Sequence, residues 1–111
     1  MAGKFVLKTA KDGEFYFVLE AGNGQVILTS EMYVAKASAE NGIASVRKNA
    51  GNDANYERKE QHGGQAMFNL KAANHQVIGT SQGYSSHAAR EEGIASVKAN
   101  AEKAALEDLT V

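Results

Sequence analysis

The sequence contains no cysteine and no proline among its 111 residues. The absence of cysteine excludes disulfides, thiol catalysis and cysteine-ligated zinc. Because there is no proline, turns and helix ends must be formed by glycine, asparagine, aspartate or serine. No apolar run is long enough to span a bilayer, and the N-terminal stretch MAGKFVLKTA lacks the apolar core of a signal peptide. We therefore expect a cytoplasmic protein with no membrane contact.

An excess of either charge is also absent. Lysine and arginine number 12, aspartate and glutamate 13, and the formal net charge is −1. A chain this close to neutrality has no bulk electrostatic attraction for nucleic acid or anionic lipid. With 23% charged and 43% hydrophobic residues, its composition is that of a globular protein. The length suits a single domain over 1–111.

An internal repeat is the main feature that the sequence does contain. A shift of 51 residues aligns 4–50 with 55–101 without a gap, and 21 of the 47 aligned positions are identical. The pentapeptide GIASV occurs at 42–46 and again at 93–97. This predicts a tandem duplication: repeat one (about 4–50), repeat two (about 55–101) and a C-terminal extension (102–111). Two copies are too few for a solenoid.

Each repeat has the pattern of three strands followed by a helix. In repeat one, alternating apolar residues predict strands over 4–9, 14–20 and 25–29, and a period of 3.6 predicts a helix over 35–50. The corresponding helix of repeat two is predicted over 86–101. Asn23-Gly24 predicts a two-residue type I′ hairpin turn, in which both residues have positive φ. The last segment, 106–111, is either a strand or a helical extension, and we favour the strand.

The glycine of GIASV falls inside each predicted helix, where glycine costs about 1 kcal/mol relative to alanine. It lies at the margin of the apolar face, which predicts a close approach of the helix to the sheet or to the other helix. We interpret the repeated residues as structural: Gly42, Ile43, Val46, Gly93, Ile94 and Val97. One repeat alone would bury too little surface to be stable. We therefore expect an α+β fold in which both repeats share one antiparallel sheet and both helices pack on one face.

These patterns resemble a known family. The blocks A-x-N-x-Q-V-I, T-S-x-x-Y and G-I-A-S-V-[RK] occur in both repeats and resemble the YegP-like family of uncharacterised bacterial proteins, in its duplicated subfamily. The resemblance implies a βββα(β) motif that is present twice in tandem or once in each of two subunits. It also implies exchange of the C-terminal strands and a monomer that is a covalent pseudo-dimer. It implies no activity and no site.

The hydroxyl-rich strand-to-helix junctions are the candidate ligand site. Hydroxyls and free N–H groups at a helix start can hold an anion, although capping of the helix explains the same residues more simply. Neither T-S-x-x-Y segment contains lysine or arginine, which weakens the prediction of phosphate binding. The candidate anion contacts are Thr29, Ser30, Tyr33, Thr80, Ser81, Tyr84 and Ser86.

The sequence contains little that indicates a catalytic site or a metal site. The three histidines, His62, His75 and His87, are widely spaced and lie in repeat two alone, so we expect exposed side chains rather than a metal site. The adjacent Ser86 and His87 do not make a nucleophile–base pair, which depends on geometry. We predict no cofactor, no metal and no catalytic residue.

Tyr16, Val18 and Met67 alternate outward and predict an apolar stripe on the sheet. Such a stripe could stack the bases of single-stranded nucleic acid, but lysines and glutamates are interleaved beside it, so nucleic acid is not favoured as a partner. Repeat two has glycine at 79 where repeat one has Leu28, which predicts a shallow gap. The role is thus unknown, and a non-catalytic interaction module with a protein partner is preferred. A nucleic-acid-associated protein is the alternative, and an enzyme is least favoured.

Overall fold

A computed structural model describes residues 3–60 and 63–110 of the protein. It confirms the predicted order of strands and helices in both repeats. A short 3-10 helix, Asp53–Asn55, precedes the fourth strand. The elements are β1 (Lys4–Thr9), β2 (Phe15–Glu20), β3 (Val26–Thr29), α1 (Lys36–Asn49), β4 (Tyr56–Glu60), β5 (Ala66–Lys71), β6 (Val77–Thr80), α2 (His87–Ala101) and β7 (Ala105–Asp108).

The seven strands form one sheet in the order β4-β5-β6-β3-β2-β1-β7. The repeats meet where β3 pairs with β6 through Thr29 and Thr80, so a pseudo-twofold axis passes between these strands. The expected antiparallel sheet needs correction at one edge, because β7 pairs with β1 in parallel. Three antiparallel pairings, β6–β3, β3–β2 and β2–β1, separate β6 from β1, so β1 runs opposite to β6; β7, which follows β6 through α2, also runs opposite to β6 and therefore has the direction of β1.

The exchange of C-terminal strands occurs in one direction. β7 follows repeat two but pairs with β1 of repeat one. Within residues 3–60 and 63–110, no strand of repeat one takes the matching place beside β4. Residues 51–55 instead form a turn and the 3-10 helix, and the backbone N–H of Tyr56 donates to the Asp53 carbonyl. The residues 51 positions before β7, 54–57, belong to the 3-10 helix and to the start of β4, so they do not form a second exchanged strand.

Both helices cover the same face of the sheet, as predicted. Each helix contacts strands of both repeats: α1 packs on β2, β5 and β6, and α2 packs on β5, β3 and β1. The core between the layers is built largely from large side chains that are almost fully buried. The largest are Phe5, Phe17, Phe68, Leu7, Leu19, Leu28, Leu70 and Ile94. Because the helices lie across the axis, neither repeat has a core of its own.

The gap predicted at residue 79 is filled from the other repeat. A Cβ placed on Gly79 would lie 2.6 Å from both Cγ and Cδ2 of Leu28. Leu28 is only 1% exposed and occupies the space next to the axis. Positions 28 and 79 are equivalent in the two repeats and adjacent in space. Because the Leu28 side chain fills the space between them, position 79 can hold only glycine.

The β2–β3 turn differs from the predicted type I′ form. Gly24 has a φ of 85°, whereas Asn23 does not have a positive φ. The Gly24 N–H donates to the Ala21 carbonyl, Ala21 N–H donates to the Gln25 carbonyl, and the pairing shifts by one residue next to the turn. This is the pattern of a longer loop closed by a bulge residue in the left-handed conformation. In repeat two, His75 takes that conformation, with a φ of 70°.

The C-terminal segment is a strand, as favoured from the sequence, although residue 111 lies outside the described residues. Two ion pairs hold it: Lys4 Nζ lies 2.8 Å from Glu107 Oε1, and Lys36 Nζ lies 2.6 Å from Asp108 Oδ2. The hydrogen bond from Lys36 is the main cause that lowers the pKa of Asp108 to about 2. The carboxylate is therefore stabilised in the folded state.

We expect the protein to lose stability between about pH 4 and pH 2. Asp108 and Asp53 both have folded pKa values of about 2, against an ordinary 3.8, because hydrogen bonds from Lys36 and from Arg58 with Lys98 favour their charged forms. A lowered folded pKa contributes stability above the unfolded value, and this is lost as the pH falls through the folded value. Urea unfolding of the parent and of Asp108→Asn should converge as the pH falls. A constant difference down to pH 2 would contradict this.

Candidate binding grooves between the repeats

The serine hydroxyls that occur in both strand-to-helix junctions form hydrogen bonds with the backbone. Ser30 Oγ accepts a hydrogen bond from the Phe17 N–H at 2.9 Å and donates to the Glu31 carbonyl at 2.8 Å. Ser81 makes the same two bonds in repeat two, starting with the Phe68 N–H at 2.9 Å. These hydroxyls continue the pairing of the sheet beyond the ends of β3 and β6.

Two of the remaining hydroxyls, those of Thr80 and Ser86, also have structural partners. Thr29 and Thr80 pair at the pseudo-twofold axis, and Thr80 Oγ1 donates to Asn69 Oδ1 at 2.9 Å. Ser86 caps α2, since its Oγ accepts from the Ala89 N–H at 3.0 Å. An anion contact at these hydroxyls and at the two tyrosines stays a prediction, and the capping interpretation accounts for Ser86.

The tyrosines of the T-S-x-x-Y segments explain the mid-helix glycines. The ring of Tyr33 stacks on Phe17, with centroids 6.4 Å apart and 9° between the planes. It lies against α1 so closely that a Cβ on Gly42 would be 2.6 Å from the tyrosine hydroxyl. Tyr84 has the same relation to Gly93 in repeat two. The predicted close approach to the sheet occurs at Gly42, where a Cβ would lie 2.9 Å from Phe17 Cε2, but the nearest group to both glycines is a loop tyrosine, which was not predicted.

A cavity of about 220 Å³ lies between the β2–β3 hairpin of repeat one and helix α2 of repeat two. We call it groove A. The hairpin contributes Ala21, Asn23, Gln25 and Ile27. The opposite wall is formed by the loop before α2 and by one side of that helix: Gln82, Tyr84, Ala89, Glu92, Gly93 and Ser96.

The pseudo-twofold axis generates a second groove, which we call groove B. It lies between the β5–β6 hairpin of repeat two and helix α1 of repeat one, and it consists of two depressions. One, of about 350 Å³, is lined by Glu31, Tyr33, Gln76, Val77 and Ile78. The other, of about 390 Å³, is lined by residues of α1 and of the hairpin, including Asn41, Ser45, Lys48 and Asn74.

The linings of the two grooves are more alike than the repeats as a whole. Of the ten residues that line groove A, seven have the identical residue 51 positions away, compared with 21 of 47 over the full repeat. Packing accounts for several of them, including the tyrosine–glycine pair. It does not account for Gln25 and Gln76, whose side chains are exposed. In the sequence, the two glutamines lie in the repeated A-x-N-x-Q-V-I block, and Gln25 begins the predicted strand 25–29.

The grooves are polar and offer neutral hydroxyls. Burial raises the pKa of Tyr84, and burial together with the nearby Glu31 carboxylate raises the pKa of Tyr33. Both phenols are therefore protonated at neutral pH and can donate or accept a hydrogen bond. Of the described residues that line groove A, none is lysine or arginine.

The open face of the sheet does not present the predicted apolar stripe. Val18 is 6% exposed and Met67 is 8% exposed, and only Tyr16 of the three is partly accessible. The lysines there are also partly neutralised, because Lys59 and Lys71 both lie within 4 Å of the Glu57 carboxylate, at 3.7 and 3.3 Å. Neither an aromatic platform nor a basic groove is formed on this face.

The two histidines that the structure describes, His75 and His87, are both exposed. His75 is an exposed turn residue, and His87 is exposed with Nε2 3.2 Å from Glu60 Oε2. His62 lies outside the described residues. Over 3–60 and 63–110, no three histidine, aspartate or glutamate side chains are placed to hold a metal ion. Neither α1 nor α2 is long and apolar enough to cross a membrane.

Comparison with protein families finds two matches along the chain, at 10–57 and 62–108, to a domain of unknown function, DUF1508. The chain belongs to this family. The two matches correspond to the two repeats, with their shared fold of strands and a helix, and they carry no assigned activity.

Relatives of similar length confirm the family and the fold. The chain is 60% identical to a UPF0339 protein of Acinetobacter baylyi over 99% of both chains, and 56% identical to the UPF0339 protein YegP of Escherichia coli over 99% of this chain and all of that one. The solution structure of the E. coli protein superimposes with a TM-score of 0.94 at 55% identity, covering 99% of this chain and 95% of the other. That of a Shewanella oneidensis relative gives 0.93 at 51% identity, covering 99% and 93%.

Proposed function

We propose that the protein is a non-catalytic binding module and that groove A and groove B are its two ligand sites. The observation that carries this proposal is the identity of exposed, polar lining residues between the repeats, with Gln25 and Gln76 as the main case. Packing explains why buried residues are identical in the two repeats, but it does not explain an identical exposed glutamine. A ligand shared by the two grooves is the physical reason for glutamine at both positions.

The lack of catalytic activity is part of this proposal. It is supported by the serine hydroxyls at the ends of β3 and β6, which are held by backbone partners. Association with nucleic acid draws no support from the open sheet face, where Glu57 faces two lysines and Glu107 faces Lys4. A protein partner at another surface stays a prediction.

The domain organisation and location are proposals as well. A single domain over 1–111, with repeats near 4–50 and 55–101, is supported by helices that each pack on strands of both repeats. The monomeric state is supported by the position of β7. In the family resembled, C-terminal strands are exchanged between the two motifs, and here β7 makes that exchange within one chain by pairing with β1. A cytoplasmic location is supported by the absence of cysteine from the sequence.

The proposal is tested by NMR titration of ¹⁵N-labelled protein with three sugars of similar size and different charge: glucosamine, glucose and glucuronate. We expect at least one of them to shift amide signals of groove A and groove B, with Gln25 and Ser96 among those of groove A. Ala89→Leu narrows groove A and should remove its shifts while those of groove B remain. Ala88→Leu, an exposed neighbour on the same helix, is the matched control and should change neither. Shifts from none of the three sugars, or shifts scattered over the sheet, would contradict the proposal.

A further inference from the structure

We infer that each groove binds one small organic cation, such as a protonated amine, through the single carboxylate in its wall. This inference rests on the proposed function, since it names the class of ligand for the same two grooves.

The first observation is an exchange of charge between equivalent positions. In groove A, position 92 is glutamate and position 82 is glutamine. In groove B the carboxylate and the amide are exchanged. Asn41 occupies the position equivalent to Glu92, and Glu31 occupies the position equivalent to Gln82. Each groove thus keeps one carboxylate and one amide at these two positions, although neither position keeps its own residue. A requirement for one negative charge per groove explains why both positions changed together.

The second observation is that these carboxylates form no ion pair with a basic side chain of the described residues. Among the ion pairs found within 3–60 and 63–110, none includes Glu31 or Glu92. The contrast with the preceding residue of α2 is direct, because the Glu91 carboxylate lies 2.8 Å from Arg58 Nε. Glu92 is thus available to a ligand in the groove, whereas Glu91 is used by the fold.

The third observation is that the other lining groups suit a donor ligand. The amide oxygens of Gln25 and Gln82 and the hydroxyl of Tyr84 can each accept a hydrogen bond from an ammonium group. An ammonium–carboxylate hydrogen bond is charge-assisted and is about twice as strong as a neutral one. An aromatic ring in the wall also favours a cation. In groove B, the one lining lysine, Lys48, lies in the other depression from Glu31.

The test compares the affinities of glucosamine, glucose and glucuronate by the same NMR titration, slightly below neutral pH, where the amine of glucosamine is protonated. We expect glucosamine to bind groove A about tenfold more tightly than glucose, and glucuronate to bind most weakly. Glu92→Gln should remove this preference in groove A and leave it in groove B, which keeps Glu31. The double variant Glu92→Gln with Gln82→Glu moves the carboxylate to the position it has in groove B and should restore the preference.

Glu40→Gln serves as the control, because Glu40 is exposed on α1 and lines neither groove. It should leave both affinities unchanged. Equal binding of glucose and glucosamine, or a preference that survives Glu92→Gln, would overturn the inference while leaving the binding module intact. A preference that the double variant fails to restore would overturn the exchange argument. Absence of groove shifts with all three sugars would refute the proposed function as well.

Discussion

Replacement of Gly42 by leucine is expected to lower the free energy of unfolding by about 3 kcal/mol or more, at the upper end of what overpacking a core costs. Even a Cβ at this position would lie 2.6 Å from the Tyr33 hydroxyl and 2.9 Å from Phe17 Cε2. The ring cannot move aside easily, because it stacks on Phe17 and its backbone pairs with Phe15. Urea unfolding followed by circular dichroism measures the change.

The role of the tyrosine ring is isolated by alanine variants. In the parent protein, Gly42→Ala should destabilise, whereas in a Tyr33→Ala background the same change should cost markedly less, because the contact with the tyrosine is removed and only that with Phe17 Cε2 at 2.9 Å remains. Gly51→Leu is the control, because a Cβ there meets nothing within 4 Å, and it should change stability by less than about 0.5 kcal/mol. If Gly42→Ala stabilised the parent, the packing explanation for GIASV would be wrong.

Variants at positions 28 and 79 are expected to show the second large change in the free energy of unfolding. Leu28→Gly removes an almost fully buried side chain next to the axis and should cost about 3–5 kcal/mol. Gly79→Leu should also destabilise, because its new side chain would overlap Leu28. The double variant places the leucine on the other side of the pseudo-twofold axis and should recover most of the lost stability.

A strong positive coupling in this double-mutant cycle is the decisive measurement, since residues that share one space are non-additive. The matched comparison is Leu28→Gly combined with Gly51→Leu, which restores the composition without refilling the space. It should stay as unstable as Leu28→Gly alone. Additive losses in the Leu28→Gly/Gly79→Leu double variant would show that the two positions do not share the space at the axis.

The candidate grooves depend on the same duplication. Each takes one wall from a hairpin and the other from the helix of the opposite repeat, so a groove is complete only when the two repeats are packed together. The tandem chain then carries two related sites that differ in detail. Groove A is one cavity, whereas groove B is divided into two depressions.

Much of the fold could be predicted from the sequence because the signals are local or repeated. The alternation of apolar residues predicted strand β2, with Phe17 and Leu19 facing the core. The period of 3.6 residues predicted the buried positions Ile43 and Val46 of α1. The prediction of a two-residue turn at Asn23-Gly24 was wrong, because the same residues also suit a longer loop with a bulge. Short-range preferences do not distinguish the two turn forms.

The candidate site could be predicted only in part, because its walls come from opposite repeats. Tyr33 and Tyr84 are candidates from the sequence because of their hydroxyls, whereas no local pattern marks Gln25, Gln76, Glu31 or Glu92. The available signal was the identity of exposed polar residues between the copies, together with the exchange of glutamate at two positions. Neither has meaning until the pseudo-twofold axis brings residues of opposite repeats into the two walls of one groove.

By itself, the sequence determined the duplication, the strand and helix order and the apolar face of each helix, because each follows from residue spacing along the chain. Only the tertiary structure decided that β7 joins β1 in parallel, that Leu28 fills the place opposite Gly79, and that a tyrosine ring requires the glycine of GIASV. Each of these depends on which residues of one repeat meet the other across the axis, and the one-dimensional pattern does not contain that information.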